Sequence, residues 1–347
     1  MSDRYQLQFH PYRHRFRQPL RTSHGIWQIR EGIIISLSDR TGRVGKGEIA
    51  PVPWFGSETM AQALEFCHQL GKNVTKATIA SIEDVLPACQ FAFESALTQL
   101  EQEGKQDREK QKQEENTFKS LNYSYLLPAG AAALKNCQNL AEKANKNPDY
   151  TLFSSNAAKS SLDSPTSDRL LIPHSPITFK WKIGVKPLAE EIAILQQLTQ
   201  ILPAKAKLRL DANGGLTVEE ARTWLEVTDG IATVEFLEQP LPPQQLETML
   251  GLSNDYATPL ALDESVANLR QLADCYERGW RGILVIKAAI AGSPRRLRQF
   301  CQQHLLDAVF SSVFETQIGR LAVLELAIEL SNPHRAIGFG VQQWWEQ

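Results

Sequence analysis

The 347-residue sequence lacks several features that mark other classes of protein. It contains no run of 18 apolar residues, so we expect no membrane-spanning helix. Its first residues include no apolar core of the kind found in signal peptides, which favours a cytoplasmic location. The net charge is only −2, so no overall field draws the chain to nucleic acid or to an anionic membrane. The composition therefore predicts a soluble, cytoplasmic protein of about two domains. Its expected partner is a small-molecule substrate.

Cysteine is scarce, and its spacing excludes the usual cysteine-based frameworks. The five cysteines are Cys67, Cys89, Cys137, Cys275 and Cys301. Their number is odd and no C-x-x-C pair occurs, which favours free thiols over disulfides or a zinc site. A dinucleotide-binding glycine turn is missing as well, because Gly42, Gly45 and Gly47 have the wrong spacing for one.

The N-terminal part of the chain predicts a mixed α+β domain. Glu31–Leu37 and Val44–Ile49 are strand-like, and the turn residues of Asp39–Gly42 between them indicate a hairpin. Helical patterns follow at about Glu58–Leu70 and Ser81–Glu103, with an interruption expected near Pro87 in the second.

Two polar segments divide the chain. Residues 101–119 are a charged, glutamine-rich run, and residues 145–176 are rich in Ser, Asn, Asp and Pro; we interpret both as insertions outside the core. We therefore predict a capping domain over 1–119, a second domain over 120–335, and a last strand with a return to the cap over 336–347.

From residue 121 onwards, apolar strands alternate with amphipathic helices. The predicted strands are Asn122–Leu127, Thr178–Ile183, Lys207–Asp211, Thr233–Glu238, Leu260–Asp263, Ile283–Lys287, Ala308–Phe314 and Ala336–Phe339. Helical patterns between them include Leu188–Leu202, Val218–Thr228, Pro294–His304 and Ile318–Leu330. Eight such strands predict an α/β fold, a modified TIM-type (β/α) barrel with an N-terminal α+β cap, and an open doubly wound sheet is the alternative.

Five charged residues fall at the carboxyl ends of successive predicted strands. They are Lys182, Asp211, Glu238, Asp263 and Lys287, and they are spaced by 29, 27, 25 and 24 residues, about one βα unit each. Because the carboxyl ends of barrel strands surround a single mouth, we expect these side chains to converge there. Any one of the acids alone is also explained by a helix cap or a turn. The pattern of all five is what predicts a site.

The composition of this cluster indicates metal-assisted proton transfer. Three carboxylates in one cleft would repel each other, and an all-oxygen donor set favours Mg²⁺. Lys180 and Lys182 point to the same side of their strand because side chains alternate along it. Crowding of positive charge there favours a neutral Lys182 that can accept a proton. None of the seven histidines lies at a predicted strand end, so we expect no histidine base.

These motifs carry a resemblance to a known family. K-x-K, D-x-N, E-Q-P, D-E-S and a strand-end lysine resemble the enolase superfamily, in its muconate-lactonizing-type subgroup. Lysine bases working with Mg²⁺ on enediolates are general in that superfamily. The resemblance implies that Asp211, Glu238 and Asp263 hold Mg²⁺. It also implies that Lys182 removes the proton next to a carboxylate and later protonates a departing hydroxide, while Lys287 stabilises the anion.

The resemblance implies supporting roles for other positions. Lys180 would tune Lys182, Arg209 and Asn213 would support the metal or the substrate carboxylate, and backbone groups of Ser311 and Gly338 would receive the tail of the substrate. The cap loop Arg21–Trp27 would close over the mouth and exclude water.

Three functions remain open at this point. Within the subgroup the chain is most similar to dehydratases of quinone biosynthesis that convert a cyclohexadiene carboxylate into an aromatic acid by syn elimination of water. N-acylamino acid racemases and dipeptide epimerases are the alternative, although Ala336–Gly340 lacks the acidic pair that is usual in the epimerases. A catalytically inactive barrel that serves as a scaffold is the third. The sequence indicates no oligomeric state.

Overall fold

A computed structural model describes most of the chain. The described residues are 4–22, 25–103, 121–146, 177–203 and 205–340. Both predicted insertions, 101–119 and 145–176, therefore lie almost entirely outside the described residues, as does the end of the segment 336–347.

The N-terminal domain is an antiparallel sheet covered by helices. Its elements are β1 (Arg4–Thr22), β2 (Gly25–Ser38), β3 (Val44–Ile49), α1 (Met60–Leu70), β4 (Asn73–Thr75), α2 (Lys76–Ala80) and α3 (Pro87–Glu103). The sheet order is β3-β2-β1-β4, so the predicted hairpin is confirmed as β2–β3. α3 begins at Pro87 instead of being interrupted there, because proline suits the first turn of a helix. The buried Glu58 caps that turn by accepting the N–H groups of Ala88 and Cys89.

The second domain alternates strands and helices. Its elements are β5 (Ser124–Leu127), α4 (Ala132–Lys146), β6 (Thr178–Lys182), α5 (Leu188–Ile201), β7 (Lys207–Asp211), α6 (Val218–Thr228), β8 (Val234–Glu238), α7 (Leu246–Asp255), β9 (Leu260–Leu262), α8 (Leu269–Glu277), β10 (Ile283–Ile286), α9 (Ala288–Ala291), α10 (Pro294–His304), β11 (Ala308–Phe310) and α11 (Gln317–Leu330). The strands β5 to β11 form a parallel sheet in sequence order. No helix in the described part of the chain has the length and apolar character needed to cross a membrane.

The predicted eighth strand closes this sheet with two short parallel bridges. Ile337 pairs with Tyr123 beside β5, and Gly338 pairs with Ser311 beside β11. The segment Ala336–Phe339 therefore joins the first and last strands of the sheet. The predicted fold, a modified (β/α) barrel with an α+β cap, is confirmed.

Gly338 is expected to tolerate no side chain. A Cβ atom there would lie 2.6 Å from Ser311 Oγ and 3.0 Å from Ser311 Cβ. Gly338→Ala should therefore lower the free energy of unfolding by about 1–3 kcal/mol, as measured by urea denaturation. Gly251→Ala in α7 is the control, because a Cβ there meets nothing within 4 Å. Equal stability of the two variants would contradict the expected crowding at Gly338.

A buried carboxylate fastens the cap to the barrel. Glu48 of β3 accepts the N–H groups of Thr316 at 2.8 Å and Gly319 at 2.9 Å, at the start of α11. The hydroxyl of Tyr12 on β1 donates to the same carboxylate at 2.5 Å. Burial and the charge of Glu48 raise the pKa of Tyr12 well above its usual value, so the phenol stays a donor. Because α11 begins just after β11, this contact places the cap at the carboxyl ends of the strands.

Candidate active site

The five charged residues singled out from the sequence lie together at one end of the barrel. Lys182, Asp211 and Glu238 are the last residues of β6, β7 and β8. Asp263 and Lys287 immediately follow β9 and β10. In the strand register Asp211 is paired with both Lys182 and Glu238. The side chains therefore come from adjacent strands that end at the same mouth.

The three carboxylates are buried and make ion pairs with two lysines. Asp211, Glu238 and Asp263 are 7%, 1% and 2% exposed. The Lys180 ammonium lies 2.7 Å from Asp211 Oδ2 and 2.7 Å from Glu238 Oε1. Lys287 makes an ion pair with Asp263. Burial alone would lower the pKa of Lys180, but Asp211 and Glu238 raise it above its usual value. Lys180 is therefore a fixed positive charge within the carboxylate cluster.

The negative charge of the cluster is only partly compensated. Burial raises the pKa of Glu238 to about 8, with a further contribution from the nearby Asp211. Burial likewise raises the pKa of Asp263 to about 6, although Lys287 opposes this. Burial opposes ionisation of Asp211 too, but Lys180 and the N–H of Asn213, 3.0 Å away, hold its pKa below the usual value. A further cation would be needed to keep all three carboxylates charged.

The donor set suits Mg²⁺, although its oxygens do not already enclose an ion position. Within the described ranges, no three acidic, histidine or cysteine side chains are arranged to hold a metal as they stand. The reason is that Lys180 bridges Asp211 and Glu238, whereas Asp263 is directed to Lys287. The Lys180 ammonium thus stands in for a cation between two carboxylates. Buried carboxylate oxygens around such a position are ligands that Mg²⁺ prefers.

Lys182 differs from its neighbour Lys180 in having no acidic partner. Its half-buried ammonium makes no ion pair or hydrogen bond with any residue of the described ranges. The loop that follows it is fixed by Glu191, which accepts the N–H groups of Gly184 and Val185 at 2.7 and 3.0 Å. Lys182 is therefore held at the mouth with its amine available for a ligand.

Asn213 contacts the cluster through both main chain and side chain. It has a positive φ of 45°, a conformation that asparagine adopts more readily than most residues. Its N–H donates to Asp211 Oδ1, and its Nδ2 donates to Glu264 Oε1 at 3.2 Å. Glu264 is itself largely buried, which raises its pKa. Asn213 therefore braces the Asp211 carboxylate.

Arg209 makes its side-chain hydrogen bonds away from the predicted metal ligands. Its Nε donates to Glu235 Oε2 at 2.7 Å, and Arg335 donates to the other oxygen of the same carboxylate at 2.9 Å. Glu235 and Arg335 line a cavity together with Thr178 and Lys207, the first residues of β6 and β7. The guanidinium of Arg209 is thus directed to the amino-terminal end of the barrel, away from the carboxylate cluster. A supporting role for Arg209 at the metal or the substrate carboxylate stays a prediction, and these contacts do not favour it.

Ser311 and Gly338 are adjacent, but their N–H groups are already used. The N–H of Ser311 donates to Ile286 at 2.9 Å, and that of Gly338 donates to Phe310 at 2.7 Å. Both N–H groups therefore already have partners within the barrel. Reception of a substrate tail by the backbone groups of Ser311 and Gly338 stays a prediction. The Ser311 hydroxyl, 3.3 Å from the Gly338 carbonyl, is the more weakly held polar group.

Two residues in contact with the site were missed by the sequence analysis. The ring of Phe55, in the cap turn Pro53–Phe55, lies with its centroid 3.9 Å from Lys287 Nζ. Gln239 accepts the N–H groups of Asp263 and Ser265 at 2.9 and 3.1 Å, so it fixes the main chain at Asp263. Gln239 is part of the E-Q-P motif, which could have indicated it, but the sequence analysis assigned a role only to Glu238. No local pattern indicates Phe55, because its partner is more than 200 positions away.

Aromatic residues of the cap pack against the barrel beside the mouth. Trp27 lies 5.6 Å from Phe314, in the loop after β11, and 4.9 Å from Trp54. Phe16 contacts both Trp27 and Phe314. Trp27 ends the predicted closing loop Arg21–Trp27, whose residues 23 and 24 lie outside the described ranges. Closure of that loop stays a prediction.

Comparison with known proteins gives matches to both domains. Residues 8–100 match the N-terminal domain of the MenC family, and residues 177–347 match an enolase C-terminal domain-like family. The chain is 35% identical over 341 residues to an o-succinylbenzoate synthase of Thermosynechococcus vestitus, which covers 97% of this chain and 92% of the relative. It is also 28% identical over 159 residues to an L-Ala-D/L-Glu epimerase of Bacillus subtilis, but this covers only 45% of this chain and 43% of the relative.

Among these solved structures, the synthase is again more similar to this chain than the epimerase is. An o-succinylbenzoate synthase from Thermosynechococcus elongatus, complexed with Mg in its active site, superposes with a TM-score of 0.80 at 35% identity. That match covers 98% of this chain and 94% of the other. The substrate-liganded Bacillus subtilis epimerase gives a TM-score of 0.70 at 18% identity, covering 99% and 90% of the two chains, which is a likeness of fold.

Proposed function

Because this chain belongs to the o-succinylbenzoate synthase family of the enolase superfamily, we propose that the lysines and carboxylates at its barrel mouth carry out that reaction. The chain is a Mg²⁺-dependent lyase that dehydrates 2-succinyl-6-hydroxy-2,4-cyclohexadiene-1-carboxylate to o-succinylbenzoate in menaquinone biosynthesis. The observation that carries this assignment is 35% identity across 97% of the chain. A part in phylloquinone biosynthesis is a further proposal.

Asp211, Glu238 and Asp263 would hold the Mg²⁺. When bound, the ion supplies positive charge that favours negative charge on the substrate carboxylate. Asn213 would keep the Asp211 carboxylate oriented through the bond from its N–H, and Gln239 would do the same for the main chain of Asp263. Lys180 would remain an ammonium close to these acids and to Lys182.

Lys182 would act first as base and then as acid. Its neutral amine takes the proton from the carbon next to the carboxylate, and the electron pair of that C–H bond enters the ring system. The C–O bond to the ring hydroxyl then breaks. The Lys182 ammonium returns its proton to the departing hydroxide, which leaves as water, and the ring becomes aromatic. Use of one lysine for both steps requires that proton and hydroxyl leave from the same face.

Lys287 would stabilise the negative charge from the opposite side of the mouth. It immediately follows β10, which is four strands from β6 and Lys182. Its ammonium already contacts an aromatic face, that of Phe55, at 3.9 Å. An aromatic ring of the product offers the same kind of surface to a cation. Lys287 thus suits a charge-stabilising role that needs no proton transfer.

Turnover of the diene tests the proposed function directly. The purified protein with Mg²⁺ should convert the cyclohexadiene carboxylate, seen as loss of diene absorbance and appearance of o-succinylbenzoate by chromatography. A folded, Mg²⁺-loaded protein that leaves the diene unchanged, beyond its spontaneous decay, would refute it.

Racemisation of N-acylamino acids is a second candidate, favoured by the position of lysines on both sides of the mouth. In that reaction both Lys182 and Lys287 must transfer protons. Lys287→Ala should then abolish deuterium incorporation from D₂O into one enantiomer of an N-succinylamino acid. If dehydration is the reaction, the same variant should lose rate by about 10²- to 10³-fold and yet retain measurable turnover. Mass spectrometry of the recovered acid and the diene assay together distinguish the two functions.

We propose a cytoplasmic location because the cysteines are free thiols. All five thiols are buried and unpaired, which fits a reducing compartment. Burial raises the pKa of Cys67 and Cys301 to about 12, which disfavours the reactive thiolate form.

A further inference from the structure

Arg30, on strand β2 of the cap, is a buried arginine held by main-chain carbonyls. It is 1% exposed. Its guanidinium donates to the carbonyl groups of Glu31 at 2.8 Å, Pro51 at 2.8 Å and Phe314 at 3.1 Å. No carboxylate of the described residues lies at ion-pair distance from Arg30, although buried arginines are usually paired with one. Its charge therefore serves to hold segments of main chain.

The carbonyls that Arg30 holds belong to segments that meet at the mouth. Pro51 comes just before the turn Pro53–Phe55, whose Phe55 ring covers the Lys287 ammonium. Phe314 lies in the loop that follows β11 of the barrel. One guanidinium thus connects a cap strand, the segment that leads into the turn Pro53–Phe55, and a barrel loop.

Aromatic packing fixes the guanidinium itself. It lies 5.4 Å from the centroid of Trp27, which in turn packs against Phe314. Without the guanidinium, the carbonyls of Pro51 and Phe314 would lose this donor in buried surroundings, and each such loss is costly. The segment that leads into the cap turn would then lose one of its connections to the barrel.

We propose that Arg30 is a positioning residue that sets the place of Phe55 over Lys287, and so the shape of the mouth around the reacting ring. This inference rests on the proposed function, because it takes Lys287 as part of the reaction site. Arg30 acts through the turn and does not touch the substrate.

The first test is the kinetic effect of Arg30→Met. This change removes the donors and keeps much of the side-chain volume, and it should lower kcat/KM for the diene about 10²-fold, with KM rising and kcat falling together. Arg30→Lys keeps one cationic donor and should recover part of that loss. Arg13→Met is the control and should stay within about twofold of wild type, because Arg13 is an exposed residue paired with Glu31 at the surface of the same hairpin.

A double-mutant cycle with Phe55→Ala distinguishes an effect of Arg30 on the position of Phe55 from an effect on the stability of the fold. If Arg30 acts through Phe55, Arg30→Met should lower kcat/KM much less in the Phe55→Ala background than in wild type. An equal fold-loss of kcat/KM in both backgrounds would overturn the proposal. So would a lower Tm with kcat/KM per folded molecule within about twofold of wild type. If Arg30→Met does not fold, Arg30→Lys replaces it in the cycle.

A spectroscopic measurement makes the inference independent of turnover. The Trp27–Trp54 pair, 4.9 Å apart, should give a near-ultraviolet circular dichroism signal. Arg30→Met should diminish this signal while Arg13→Met leaves it intact, and an unchanged spectrum would overturn the proposal. Wild-type protein that shows the signal but no diene turnover would instead refute the proposed function.

Discussion

Lys182→Ala is expected to lower kcat for diene dehydration by about 10⁴-fold or more. General acid or base assistance typically contributes 10²- to 10⁴-fold, and here a single amine serves as base in one step and as acid in the next. Lys180 cannot replace it, because its ammonium is held between Asp211 and Glu238 and its pKa is raised. The measurement is single-turnover diene loss at saturating Mg²⁺.

Two further variants make this result specific to Lys182. Lys182→Arg keeps the positive charge but does not deprotonate near neutral pH, so it should be as inactive as the alanine variant. Lys186→Ala, an exposed position in the next loop, should retain wild-type turnover. Residual activity of Lys182→Ala above about one hundredth of wild type would show that another group is the base.

Glu238→Gln is expected to abolish the response of the protein to Mg²⁺. A ligand that binds only the folded state raises Tm by an amount that grows with the logarithm of its concentration over its Kd, so wild type should be stabilised by added Mg²⁺ and destabilised again by a chelator. The variant should lose that shift, and its turnover should fall by more than the 10- to 100-fold found for groups around a metal that do not ligate it. Differential scanning fluorimetry and the diene assay report the two effects separately.

The metal-free form of the same variant supplies a control on folding. Burial and the neighbouring Asp211 disfavour the charged form of Glu238, so the neutral Gln should fit the metal-free fold without loss of stability. Glu219→Gln, at an exposed position of α6, should keep both the Mg²⁺ response and the activity. A Glu238→Gln variant that still gains Tm with Mg²⁺ would exclude Glu238 as a ligand.

The strand pattern predicted the architecture because each βα unit repeats the same arrangement of apolar and charged residues. A charged residue at the carboxyl end of a barrel strand lies at the mouth, and this is why Asp211, Glu238 and Asp263 could be placed from spacing. Val218–Thr228 and Pro294–His304 were predicted with their observed limits, since a Thr or Ser cap marks each start. Local chemistry determined these features.

Features that depend on distant partners could not be predicted. β1 carries many charged residues and two prolines, and it becomes a strand through pairing with β2. The alternation of side chains along β7 places Arg209 on the same side as Asp211. The end of the barrel towards which its guanidinium points depends on Glu235, which also contacts Arg335. The sequence likewise placed the acids without showing which lysine pairs with which carboxylate. That pairing depends on side-chain distances of a few ångström.

The two bridges at Ile337 and Gly338 have a consequence for the order of events during synthesis. Until these residues have left the ribosome, β5 and β11 each present an unpaired edge. Exposed edges of this kind can recruit strands from other nascent chains. A chaperone that shields the growing sheet would therefore matter most in the interval between translation of β11 and translation of Gly338.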